Sequence, residues 1–175
     1  MDARVKLFGH PVHQMLIVFP LGLLGMSVIF DIVYLATDNA KFSAVAYWML
    51  VSGVAGGLLA APFGFIDFLG IPAGTRAKRL GALHGVGNLV VTLLFLASAL
   101  IRRDDAAVPP EAAYVCSFAG LALALFTGWL GGELVNRLGV GVYEHANVDA
   151  PSSLRDAHAG SAADLGSQPR GHYGR

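Results

Sequence analysis

Charge is scarce in this chain. Asp, Glu, Lys and Arg make up 14% of its 175 residues, and 12 basic and 12 acidic side chains cancel to a formal net charge of zero. Without a basic block there is nothing to release counterions from a phosphate backbone, so composition argues against nucleic-acid binding. Acidic runs are missing as well. The single cysteine, Cys116, lies within an apolar stretch, which excludes a disulfide framework or a cysteine-ligated iron–sulfur cluster built within one chain. The segment GWLGGELVNRLGVGVYEH is rich in glycine, but it lacks the strand context and the Lys-Ser/Thr ending of a phosphate loop. Its glycines suit a sharp exit from a helix. Apolar surface takes the place of charge: 55% of the residues are hydrophobic and the mean hydropathy is +0.59, the composition of an integral membrane protein.

Apolar runs of about 20 residues, enough to cross roughly 30 Å of hydrocarbon, occur at Met15–Leu35, Ala44–Ile66, Leu80–Ile101 and Ala112–Gly132. Arg4 and Lys6 precede the first run as they would a signal peptide. That run is longer than a signal core, however, and it ends in FDIVYLATD without a small-x-small site. The linkers are short, so neighbouring spans run antiparallel in an all-α, up-down-up-down four-helix bundle. Residues 1–144 form the transmembrane domain; residues 145–175, with His158 and His172 treated as solvated, read as a disordered tail. No internal repeat is strong enough to use, although each half runs from a histidine-headed span to an acid-tailed one. Arg4, Lys6, Arg76, Lys78, Arg79 and Arg137 fall on one side, and Lys41, Arg102 and Arg103 on the other. The excess places both termini in the cytoplasm.

An ionisable side chain inside a bilayer is costly unless it is paired or faces a cavity, so each one is a candidate functional residue. Topology brings the start of the first span, the end of the second, the start of the third and the end of the fourth to one membrane face. His13, Asp67, His84 and Glu133 are therefore expected at similar depth. Gly53, Gly57, Ala60 and Gly64 form a small-residue stripe that Asp67 continues, and Gly81 and Gly85 flank the His84, Asn88 and Thr92 face. His13 and Asp31, 18 residues apart, share a helix face about 27 Å apart in rise. Asp31 thus belongs to the far end of the interior. Pro20 frees the carbonyl of Leu16 on or near that face. His10 sits just outside the helix that Pro11 starts. Glu133 is expected to partner Arg137 one turn later, and His84 to bond Asp67 or Asn88.

The motifs HPVHQMLIVFPLGL, GFIDFLGIP, LHGVGN and GGELVNRLGVGV together resemble the bacterial four-span membrane family catalogued as domain of unknown function 2231. The resemblance runs from about His10 to Val142, through His10, Pro11, His13, Pro20, Gly64, Asp67, His84, Gly85, Asn88, Gly131, Gly132, Gly139 and Gly141. Asn136 departs from the tyrosine usual at its position, and the Glu133 position varies. Family members joined to Rieske-type or cytochrome c domains imply a redox setting in a bacterial inner membrane. Three readings follow. In the first, His13 and His84 are axial ligands of haem b in an electron-transfer protein, working with a separate redox protein or a quinone. In the second, His10, His13, Asp67, His84 and Glu133 supply a zinc or non-haem iron site. In the third, the chain is an anchor or assembly subunit, and a second copy of the chain is a further candidate partner. No residue is assigned a catalytic role.

Overall fold

Each apolar run becomes a helix that extends beyond it, because a helix can continue into the headgroup layer without apolar side chains. The computed structural model describes residues 1–154. A short antiparallel hairpin, β1 (Lys6–Leu7) and β2 (His10–Pro11), leads into α1 (Val12–Leu16), α2 (Val18–Thr37), α3 (Ala40–Gly70), α4 (Arg76–Arg102) and α5 (Glu111–Gly132). A π-helical turn, Glu133–Arg137, ends the last span. Four helical segments, Val12–Thr37, Ala40–Gly70, Arg76–Arg102 and Glu111–Arg137, are long and apolar enough to cross a membrane.

Local chemistry sets the boundaries. α1 and α2 meet at Ile17 because Pro20 has no N–H for the carbonyl of Leu16; Ile17 keeps helical angles (φ −65°, ψ −16°), so the span continues across the seam. Asn39 caps α3 by accepting from Lys41 N, and Thr75 caps α4 by accepting from Lys78 N. After the π-turn, Gly139 and Gly141 take positive φ (64° and 77°), the sharp exit expected of that glycine-rich segment.

The packing is that of a membrane bundle. Ser27, Ser43, Ser98, Ser117, Asp31 and Arg102 are fully buried, while Leu125 and Trp48 are 69% and 66% exposed. Lipid tails are as apolar as leucine, so many large side chains face outward, while small and polar residues share the helix contacts with a buried apolar cluster that includes Leu24, Val28, Leu50 and Phe95. The glycines mark where neighbours approach. A β-carbon on Gly53 would lie 2.7 Å from Leu24, one on Gly56 3.3 Å from Pro20, and one on Gly87 2.5 Å from Thr127. Gly85, expected on the packing face, is exposed with open space beside it.

Two helical hairpins, α1–α2 with α3 and α4 with α5, make up the bundle, and they repeat one another. Leu24 seats on Gly53 as Phe95 seats on Gly120. Leu24 and Phe95 are 71 residues apart, the same separation as Asp31 and Arg102, and Gly53 and Gly120 are 67 apart. The sequence offers no usable repeat because the equivalence lies in which positions touch; few of the matched positions hold the same residue.

The N-terminal segment crosses the face where α1 begins. Phe8 and Gly9, both at positive φ (50° and 83°), form the two-residue turn of the hairpin. The amino group of Met1 donates to Gly139 O at 3.0 Å, and Gly141 N donates to Met1 O at 2.9 Å. The segment is thereby tied to the chain that leaves α5.

Candidate functional site

His13 and His84 occupy equivalent places in the two hairpins. His13 Nδ1 lies 3.0 Å from the carbonyl oxygen of Ala60 on α3, and His84 Nδ1 lies 2.9 Å from that of Thr127 on α5. One turn further along each helix stands a glycine that the ring covers: a β-carbon on Gly64 would be 2.6 Å from His13 Cε1, and one on Gly131 3.1 Å from His84 Cε1. Only a bare Cα lets an imidazole come so close to a helix backbone. A carbonyl can only accept, so Nδ1 carries the proton and Nε2 the lone pair in both rings.

A hydrogen-bond chain fixes His84. Asn88 Nδ2 donates to His84 O at 2.9 Å and lies 3.2 Å from His84 Nε2, while Thr127 Oγ1 donates to Asn88 Oδ1 at 3.1 Å. Thr92 Oγ1 donates to Asn88 O at 2.8 Å. Asn88, half-buried, thus links α4 to α5.

The other candidates go elsewhere. Asp67 does not bond His84: its Oδ1 accepts from the backbone N–H groups of Arg4 at 2.7 Å and Val5 at 3.4 Å, because the N-terminal segment folds back over the end of α3. Glu133 pairs with Arg76 across the α4–α5 hairpin at 2.8 Å. The expected partner, Arg137, lies on the same π-turn, whose widened pitch moves it out of the ordinary one-turn register. His10 is exposed in β2 opposite Leu7. Among the described residues no three His, Cys, Asp or Glu side chains gather into a group able to hold a metal ion, so the five-residue set His10, His13, Asp67, His84 and Glu133 does not converge. His158 and His172, with residues 155–175 of the expected disordered tail, lie outside the described residues.

Asp31 is fully buried at the far end of its span, as its phase requires, and there it meets a partner that the sequence reading counted as a loop charge. Arg102 Nη1 and Nη2 donate to the two Asp31 carboxylate oxygens at 2.8 and 3.1 Å. Arg102 Nη2 also reaches Ser98 Oγ at 3.0 Å, and the guanidinium lies 5.4 Å from the Tyr114 ring centre. One signal could have found it: Arg102 follows His84 by the same 18 residues that separate Asp31 from His13.

The family model described as a predicted membrane protein, DUF2231, matches residues 9–144. No curated protein and no solved structure matches the chain. Four spans, the paired histidines and the match over most of the chain agree, and the protein belongs to the DUF2231 family of membrane proteins.

Proposed function

We propose that this bundle is a haem b-binding electron-transfer protein of the bacterial inner membrane, in which His13 and His84 would hold the iron. The observation that supports the reading is the matched pair of imidazoles, each with Nδ1–H given to a backbone carbonyl; ligation through Nε2 would require His84 to exchange its 3.2 Å contact with Asn88 Nδ2 for the metal. Ligating histidines are held in this way, because the second nitrogen's hydrogen bond fixes the tautomer and raises ligand basicity. The donor set fits haem on its chemistry. Two neutral imidazoles complete the coordination of an iron whose other four ligands come from the porphyrin, whereas zinc or non-haem iron needs at least three protein ligands. When bound, haem supplies one-electron transfer, with a separate redox protein or a quinone as partner. Gly64 and Gly131 seat the ligands against α3 and α5, and Asn88 orients His84.

Both termini are assigned to the cytoplasm. Burial of Arg102 against Asp31 removes one of the three basic residues counted on the opposite side, which strengthens the charge bias.

A second reading, an anchor or assembly subunit without chemistry, is supported by the way the spans are stitched by their own polar groups: Asp31 to Arg102, and both histidines to neighbouring backbones. The visible spectrum and metal content of detergent-purified protein, expressed with haem and metals supplied, separate the readings. Haem binding requires a Soret band that disappears in both His13→Ala and His84→Ala. A colourless preparation with stoichiometric zinc or iron supports the non-haem site instead, and a preparation without either supports the anchor.

A further inference from the structure

We propose that Asp31 and Arg102 are the element by which the first hairpin selects the second and rejects a copy of itself. The argument begins with register. Asp31 and Arg102 are 71 residues apart, as are Leu24 and Phe95, Ser27 and Ser98, and His13 and His84. By the contacts they make, Leu24 and Phe95, and His13 and His84, are equivalent positions of a repeated hairpin, and Asp31 and Arg102 fall in the same register. A position that touches its own equivalent lies at the axis of a two-fold arrangement. Asp31 and Arg102 do so with both side chains fully buried and both carboxylate oxygens bonded.

On the same helix face Ser27 matches Ser98, and both are fully buried, whereas Ser117 on α5 matches Leu50 on α3. The sign of the charge at 31 and 102 therefore distinguishes right from wrong pairing. Two copies of the first hairpin joined in the same way would bring two carboxylates together inside the membrane, and two copies of the second would bring two guanidinium groups together. A buried charge without its partner is strongly destabilising. The native pair has opposite charges with a fork geometry that suits them, and Ser98 and Ser117 lie 3.0 and 3.3 Å from Arg102 Nη2, sharing its second hydrogen. The partner that the device excludes is a second copy of this chain.

The test uses the full chain. Asp31→Arg and Arg102→Asp each create a like pair within one molecule, and the reversal Asp31→Arg/Arg102→Asp restores an opposite one. The linker Ile71–Thr75 between α3 and α4 spans up to about 16 Å, more than the roughly 8–10 Å between packed helices, so the hairpins of two chains have room to exchange. Each single variant is expected to lose the monomer peak on size exclusion in detergent, while the reversal keeps it. The two single variants, co-expressed with different tags, are expected to co-purify about tenfold more than two tagged wild-type chains, because each chain's first hairpin then finds its opposite charge on the other. The proposal is overturned if the single variants run as wild-type monomers, or if the reversal holds its monomer peak and the co-expressed pair still fails to co-purify. It is also overturned if the reversal collapses like the single variants while Asp31→Asn/Arg102→Gln stays monomeric, since charge complementarity would then select nothing.

Discussion

At the scale of single residues the site depends on two missing β-carbons. The ring of His13 leaves 2.6 Å for a methyl group at Gly64, whereas His84 leaves 3.1 Å at Gly131. Overpacking of a filled contact costs about 1–3 kcal/mol, and the tighter approach takes the larger share. Gly64→Ala is therefore expected to lower thermal stability in detergent more than Gly131→Ala, and to displace His13 from the carbonyl of Ala60. Equal losses, or a larger loss at Gly131, would show that the rings are not seated as described. The sequence made both histidines legible on polar faces and Gly64 on a small-residue stripe, while Gly131 stood out only through the family resemblance. It did not reveal that each glycine serves one histidine, because that relation joins different helices and depends on how far each is rotated about its axis.

At the scale of elements, the polar residues at one membrane face divide into separate jobs. Asp67 sits at the end of α3 and holds the N-terminal segment through two backbone N–H groups, a charge-assisted interaction worth about 1.5–3 kcal/mol. In Asp67→Asn, hydrogen exchange at the amides of Arg4 and Val5 should quicken while the interiors of the four helices keep their protection. Unchanged exchange at those amides would mean that another contact holds the segment. The Arg76–Glu133 pair is different in kind: the Arg76 side chain is 56% exposed, so solvent and salt screen it and its worth is about 0–1 kcal/mol. Glu133→Gln is expected to leave the unfolding midpoint in detergent nearly unchanged at high salt; a large drop there would place Glu133 in a tighter network. Span order told the sequence reading that these acids share a face. Their partners came from the fold-back of residues 1–5 and from the π-turn, neither of which has an apolar period to betray it.

At the scale of the whole molecule, two similar hairpins are locked together at one end by a buried ion pair, and toward the other each carries a histidine bonded within its own hairpin. Asp31→Ala leaves Arg102 buried without its counter-charge, and the loss expected is about 3–5 kcal/mol, read as an earlier midpoint when unfolding is driven by a denaturing detergent. Arg102→Ala should cost as much, and the double alanine variant less than the sum of the two, since removing both charges leaves neither stranded. Additive losses would mean that the two residues act independently. The sequence by itself determined the membrane class, the four spans, their alternating direction and the end of the bundle at which each of Asp31, Asp67, His84 and Glu133 lies. All of these follow from run length and order in the chain, which the thickness of the hydrocarbon layer converts directly into structure. Only the tertiary structure decided which polar groups meet: Asp31 with Arg102, Asp67 with the N-terminal backbone rather than with His84, and each histidine with the carbonyl beside its glycine. Those choices depend on helix rotation and close approach across the bundle, and residues 71 apart carry no local signal of where their partners will stand.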